Sequence, residues 1–490
     1  MTIPVTRPSR PQTHPSRPQT HPDHPDHPDH PDHPSHPITR PAAQVHFGVF
    51  FQGVNHTTIW SDPESGSQTD FATFERVIRT AERGLFDAFF LGEGLRLRES
   101  RGALHDLDVV GRPDAITQLA ALAAITTHIG LVATQNTTYN DPADLARRLQ
   151  SLDVLSGGRA AWNVVTTDNA WTGANFRRGG YLDHALRYER AQGQLNVARQ
   201  IWDAFPDSAD GAGSPGSSDG GVAHVSEHSD LFDVELDPTT PRSPQGHPVI
   251  FQAGDSPQGR DFAAANADVI FSRHGSVLAE ALEFAADVRR RAVAAGRPED
   301  DVQIFPGTGI IVGDTPAEAE EKARWVRWNQ VTPATALSTV GNIWGEDLSG
   351  YDPDGPLPAH DPVVEELGGE RGSATTGART REIAAQWRAL AEAEHLSIRE
   401  LVVRNSSERG FQGTPAAVAE DLVRWVRTGA VDGFNISPWI VPSGLDDIVD
   451  KVVPELQERG AYPASYTGTT LRENLGLRAP LTRRAAVGAA

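Results

Sequence analysis

The chain contains no cysteine. Disulfides, thiolate nucleophiles and cysteine-ligated zinc or iron–sulfur clusters are therefore excluded. Lysine is almost as scarce: among 44 Lys+Arg, only Lys322 and Lys451 are lysines. A Schiff-base mechanism or a phosphate-loop lysine has almost nowhere to sit. The single methionine is Met1, which leaves few targets for oxidation. A compositional bias that also replaced lysine by arginine accounts for both scarcities.

Positive charge is in deficit, with 65 Asp+Glu and a net charge of −21. Such a chain repels phosphate and anionic lipid, so neither nucleic acid nor a membrane surface is an expected partner. No apolar run reaches the length of a membrane span. The N-terminus is rich in Pro, His and Arg and lacks the apolar stretch of a secretory signal, so the cytoplasm is the expected location. Three nucleotide and metal motifs are missing as well. No G-x-G-x-x-G opens a strand–helix unit, and PGTGIIVG at 306–313 has the wrong spacing and leads into a strand. There is no Walker sequence and no H-E-x-x-H. The chain thus carries no dinucleotide-binding domain of its own.

What is present begins with a low-complexity tail, residues 1–43. SRPQTHP occurs twice, at Ser9–Pro15 and Ser16–Pro22, and HPDHPDHPDHPDHPSHP follows at 21–37. Proline at every third position removes backbone donors, so an extended, disordered segment is expected. Histidine at every third position from His21 to His36 raises the reading of a metal-binding protein. Its ligands would hang on a flexible chain with no second shell to orient them, so no defined site is assigned and the tail is expected to be dispensable for catalysis. Residues 479–490 read as a second tail.

Between the tails, apolar and amphipathic segments alternate. Strand candidates are 45–51, 86–91, 129–134, 160–165, 249–252, 269–272, 302–311 and 433–437. Helical segments lie between most of them, several opened by Asp, Ser or Thr followed by Pro, as at 141–142, 256–257, 315–316 and 414–415. Eight strands with intervening helices predict a (β/α)8 TIM-like barrel over 44–478, with a doubly wound sheet as the competitor. Gly/Ser/Asp-rich residues 206–230 and Gly/Pro/acid-rich residues 345–376 read as loop insertions, expected at the strand C-terminal face, where lids belong.

The most informative stretch is PVIFQAGDSPQGRDFAA, 248–264. A buried strand ends in Ala-Gly, Ser256 sits at an N-cap, and Pro257 starts a helix. Free N–H groups and the positive helix end converge there on a candidate anion site. It is not a nucleophile elbow, since G-D-S-P-Q lacks the final glycine of G-x-S-x-G. In HALRY, His184 and Tyr188 lie at i and i+4 on one helix face. Polar residues bunch at successive strand ends: His56 after the first, Glu93 after the second, Thr134 in the third, and Thr166 to Asp168 after the fourth. Such bunching marks the working face of a barrel.

The chain resembles the luciferase-like flavin-dependent monooxygenases, the group of nitrilotriacetate and dibenzothiophene-sulfone monooxygenases. The stretches that carry the resemblance are NDPADLARRLQSLDVLSGGRAAWNVVTT (140–167), GGYLDHALRYERA (179–191), PRSPQGHPVIFQAGDSPQGRDFAA (241–264), DLSGYDPDGPLP (347–358) and GTPAAVAEDLVRWVRTGAVDGFNI (413–436). The tail stretch VPELQERG…GTTLRENLGL (453–477) matches as well, and the likeness spans roughly residues 45 to 478. It implies a barrel with insertions. It also implies a reduced FMN cosubstrate supplied by a separate NAD(P)H:flavin oxidoreductase through diffusion, and O2 activated as a flavin C4a-hydroperoxide that oxygenates a small organic substrate. Carried over by position, Ser256 and Tyr188 hold the FMN phosphate with His184 beside them, and Glu93 and Thr134 line the flavin. Asp168 stands near the isoalloxazine, and His56 is the candidate for proton handling. Asp255 is a departure, because a carboxylate beside a phosphate site should repel it unless it points away. A homo-oligomer is expected. The alternative within the fold is a deazaflavin-dependent oxidoreductase, which transfers hydride and needs no O2.

Overall fold

The computed structural model describes residues 40, 42–51, 58–96, 99–100, 103–104, 113–167, 170–173, 175–176, 184–205, 222–363, 377–406 and 410–480. The His/Pro repeat, His56, Asp168 and residues 481–490 lie outside these. Eight parallel strands close a barrel: β1 (His46–Phe51), β2 (Ala88–Leu91), β3 (Gly130–Asn136), β4 (Ala160–Val165), β5 (Val249–Gln252), β6 (Val269–Ser272), β7 (Gln303–Thr308) and β8 (Gly433–Ile436). Each strand pairs with its sequence neighbours, and β1 pairs with both β2 and β8. That closure rules out the doubly wound sheet. Most strand residues are buried, which is why AFFL, VIFQ and VIFS read as continuous apolar runs rather than alternating ones.

The helices that return the chain include α1 (Phe71–Arg83), α2 (Ala115–Ala123), α3 (Pro142–Leu155), α4 (His184–Trp202), α5 (Pro257–Asn266) and α6 (Leu278–Ala294). The expected starts are real caps. Asp141 accepts from the Asp144 N–H, Ser256 from that of Gly259, and Thr315 forms a reciprocal box with Glu318 at the head of α7 (Pro316–Gln330).

Alternate strand residues face the barrel axis. Ala88, Phe90, Val132, Ala161, Val249, Phe251, Val269 and Phe305 form one packed cluster there, joined by Leu471 and Leu475 near the C-terminus. A Cβ at Gly130, at the start of β3, would stand 2.5 Å from Leu471 Cδ1. The segment Thr470–Leu475 therefore stoppers the N-terminal end of the barrel. The interior is a core, and only the opposite face is left for chemistry.

Three expectations need correction. The strand read over 302–311 is broken at Gly309: β7 ends at Thr308, and Ile310–Val312 turns aside to pair with Phe411–Gly413. Residues 206–230 are not all loop, because Val225–His228 pairs antiparallel with Asp233–Leu236. That hairpin leaves the C-terminal end of α4 and folds back along it, with the Phe232 ring against Gly193 and the Leu231 carbonyl on Arg190. It therefore does not spring from a strand C-terminal end. Within the second stretch read as a loop, the described residues 345–363 carry no helix or strand, and the helices lie on either side of it. Helices α8 (Pro333–Trp344), α9 (Gly377–Glu394) and α10 (Ile398–Ser406) build a small core of their own around Val340, Trp344, Ala384 and Ile398. Lastly, Arg40 already belongs to the barrel, since it pairs with Asp432 and its N–H donates to the Arg427 carbonyl.

A buried polar hub ties two of the resemblance stretches together. The Asp153 carboxylate accepts from the Ser243 hydroxyl, from Gln245 Nε2 at 2.6 Å and from the Ala160 N–H at 2.9 Å. Burial pushes its carboxyl up from 3.8 to about 7, against the pull of those hydrogen bonds. A carboxyl raised on folding stabilises most while both states keep it protonated, and that contribution fades as pH rises from its unfolded value to its folded one. Stability should therefore fall across pH 4 to 7 at this site. The variant Asp153→Asn keeps the shape and cannot ionise. Thermal melts should show a flatter pH profile for it than for the parent, and no lower melting temperature at pH 8. An unchanged slope would remove Asp153 as the cause.

Candidate active site

Two groups of side chains stand at the C-terminal face. The first lies at the ends of β2, β3 and β4. Asn136 Nδ2 donates to both Glu93 oxygens, at 3.1 and 3.2 Å, so the carboxylate is held against the end of β3. One residue pair deeper, Asn163 Nδ2 donates to Thr134 Oγ1 at 3.0 Å. Thr134 accepts there, which leaves its own proton free to be donated elsewhere. Glu93 and Thr134 are thus brought together, each steered by an asparagine. Asn163 was missed in the sequence; a lone amide in the apolar run AAWNVV was its signal. Below them, Phe50, Phe90 and Phe271 pack with ring centroids 5.2 to 5.7 Å apart and floor the mouth. Beyond them, Tyr139 and Phe176 stack face to face at 4.1 Å, and Asn175 Nδ2 donates to the Leu95 carbonyl at 2.9 Å. That bond straps the segment after β4 to the segment after β2.

The second group surrounds the start of α5. Ser256 caps the helix by accepting from the Gly259 N–H at 3.1 Å, so its O–H is still available as a donor. Gly254 and Gly259 press against each other. A Cβ on Gly259 would stand 2.8 Å from the Tyr188 hydroxyl and 2.9 Å from Gly254 Cα. Tyr188, from α4, therefore has its hydroxyl at the first turn of α5, beside Ser256, as the sequence suggested. The Arg187 guanidinium covers its ring at 5.0 Å. Backbone places His184 on the same helix, and its side chain lies outside the described residues. One amide expected for the anion is already used, since the Gly254 N–H donates to Gln252 Oε1 at 2.6 Å.

Asp255 does point away from repulsion. Its oxygens accept from Arg260 at 2.8 Å and Arg273 at 3.0 Å, with His274 Nε2 at 3.3 Å. Burial alone would raise its carboxyl, but the bonds from Arg273, His274 and Arg260 win and lower it to about 2. Arg260 sits on the following helix and Arg273 and His274 follow another strand, so no role for them could be read along the chain.

The lysines are elsewhere. Lys322 Nζ reaches Asp447 at 2.6 Å and Lys451 Nζ reaches Asp314 at 2.7 Å, around a cavity of 440 Å³ that none of the predicted site residues lines. Among the described residues, no cluster of three or more His, Asp or Glu is arranged to hold a metal ion, and no helix is long and apolar enough to cross a membrane.

A closed barrel is what the resemblance implied, and the comparison with known families decides the family: the profile of the luciferase-like monooxygenases matches residues 45–432. The chain belongs to that family. Nitrilotriacetate monooxygenase component A of Aminobacter aminovorans is 39% identical over 89% of this chain and 97% of its own length. N-acetyl-S-(2-succino)cysteine monooxygenase of Bacillus subtilis is 37% identical, over 91% of this chain and 100% of its own. Among solved structures, DmoA from Hyphomicrobium sulfonivorans superposes with a TM-score of 0.72 at 30% identity, covering 91% of this chain and 95% of that one. This luciferase-like monooxygenase is an enzyme, an oxidoreductase of a family that works with reduced flavin. Its barrel is the family barrel, with the insertions described above.

Proposed function

We propose that the protein is the oxygenase component of a two-component system. It takes up reduced FMN released by a separate NAD(P)H:flavin oxidoreductase and directs one atom of O2 into a small organic substrate. The observation that carries this reading is the cradle formed by Gly254, Ser256, Gly259 and the Tyr188 hydroxyl. The turn and the helix approach closely because both glycines lack a Cβ, and hydroxyl donors stand at the positive end of α5. Those residues fit a phosphate monoester.

When bound, the reduced flavin supplies the two electrons by which one oxygen atom enters the product and the other leaves as water. The chain's own part is binding, orientation and exclusion of solvent. Ser256 and Tyr188 donate to the phosphate, with His184 one turn before Tyr188. Thr134, held by Asn163, offers its hydroxyl proton to the ring system, and Glu93 lines the ring, fixed by Asn136. The phenylalanine floor and the Tyr139–Phe176 stack keep water from the reacting face. His56 is the candidate for proton handling and Asp168 a catalytic candidate near the ring, both outside the described residues.

The phosphate assignment is checked by flavin titration. FMN should bind about tenfold tighter than riboflavin, or about 1.4 kcal/mol, the scale of a charge-assisted contact. Ser256→Ala should cost roughly 1 kcal/mol of FMN affinity for one lost hydrogen bond and leave turnover at saturating flavin nearly intact. Equal affinity for the two flavins would sink the assignment. Product formed equally well without O2 would instead favour the deazaflavin, hydride-transfer alternative.

A further inference from the structure

We propose that Asp255 is a built-in competitor of the flavin phosphate, and that Arg273 is the side chain over which the two compete. The proposal rests on the phosphate site argued above and adds how tightly that site holds its ligand. Asp255 lies in the same turn as the cradle, between Gly254 and Ser256. Its carboxylate already engages the side chains that an incoming anion would meet: the guanidiniums of Arg260 and Arg273 and the imidazole of His274. The cluster continues through Asp287 and Asp261 to Arg290 and Arg291, so four arginines face three carboxylates and positive charge is in excess.

The three partners of Asp255 differ in freedom. Arg260 is fixed: it also donates to the Asp255 carbonyl at 3.1 Å and to Asp287 at 3.1 Å, and it lies over the Phe284 ring at 4.7 Å. His274 is fixed by stacking on the same ring at 4.5 Å. Arg273 has an 81% exposed side chain whose ion pair is with Asp255. It follows β6 directly, beside the β5 turn, so a change of rotamer is enough to move it between carboxylate and phosphate. Carboxylate and phosphate satisfy a guanidinium by the same geometry, which makes them true alternatives. A flavin that arrives reduced and must leave oxidised in every cycle is served by a site that binds its phosphate without trapping it. Affinity among close variants of one site is set mostly by the rate of release.

The test uses oxidised FMN and riboflavin as probes with the full chain, measuring equilibrium binding and the rate of FMN release in rapid mixing. Asp255→Asn should tighten FMN by about threefold or more and slow its release in proportion, with riboflavin unchanged. Arg273→Gln should weaken FMN by about fivefold, again with riboflavin unchanged. In the double variant the gain from Asp255→Asn should shrink below about twofold, because the contested cation is gone. Riboflavin binding reports that each variant is folded, and Asp255→Ser serves if Asp255→Asn is not. Unchanged or weaker FMN binding in Asp255→Asn overturns the proposal. So does a gain that survives in full without Arg273, since the carboxylate would then act by plain repulsion. Either result with a parent that still prefers FMN to riboflavin overturns the competition alone. A parent without that preference brings down the phosphate site as well.

Discussion

Mixed with NADH, FMN and a competent substrate but no second protein, the purified chain is expected to oxidise no NADH. The effect is all or none, and its ground is structural. All eight parallel strands are consumed in one closed barrel, and no dinucleotide-binding sheet stands beside it among the described residues. The proposed cradle would take one phosphate at the head of α5, where the two glycines touch, and among the described residues no glycine-rich turn for a pyrophosphate opens a strand–helix unit. On the two-component reading proposed above, electrons would arrive on a flavin that diffuses in already reduced. Adding any flavin reductase that releases reduced FMN should restore turnover, and with isotopically labelled O2 one labelled atom should appear in the product. NADH consumption by the isolated chain would defeat the two-component reading, whatever the fate of the phosphate assignment.

The second large effect is expected from Gly259→Ala. Alanine is ordinarily a better helix residue than glycine, so an exposed first-turn site would gain from the change. Here the added Cβ would stand 2.8 Å from the Tyr188 hydroxyl, 2.9 Å from Gly254 Cα and 3.0 Å from the Gly254 carbonyl carbon. Tyr188 can turn away, but only by leaving the phosphate. The Gly254 backbone can retreat only by separating β5 from α5. Both movements open the cradle, so FMN affinity should fall roughly 30-fold or more, about 2 kcal/mol, in the range of overpacking costs. Riboflavin should lose much less, since its ring contacts lie elsewhere. The measurement is a paired titration of the two flavins. A variant that holds FMN as tightly as the parent would show that the cradle is not the phosphate site.

Much of this molecule was legible in its sequence. All eight barrel strands fall where apolar runs lie, because a strand buried on both faces is mostly apolar. The helix starts were equally plain, since Asp141, Ser256, Thr315 and Thr414 each offer an oxygen to an otherwise unpaired N–H just before a proline. Ser256 and Tyr188, 68 positions apart by subtraction, could be named together only through the family resemblance, which stores the fold's result. Local chemistry by itself left each with an ordinary surface reading.

The sequence by itself determined a cysteine-free, acidic chain of alternating strands and helices that fits a barrel or a doubly wound sheet, with donors gathered at strand ends. Those are properties of composition, period and spacing, which a single chain displays directly. Only the tertiary structure decided what Asp255 does. Read along the chain it is a negative charge next to an anion site. In the fold its charge is taken up by Arg260 from the same helix and by Arg273 and His274 from the neighbouring strand end. It likewise decided that β7 stops at Thr308, because the following residues find a partner strand about a hundred positions later, at Phe411–Gly413. And it set Asn163 behind Thr134, and the Leu471 plug beneath the barrel. Each of these depends on which distant residue arrives opposite. That is fixed by barrel closure and side-chain packing, and no local pattern records it.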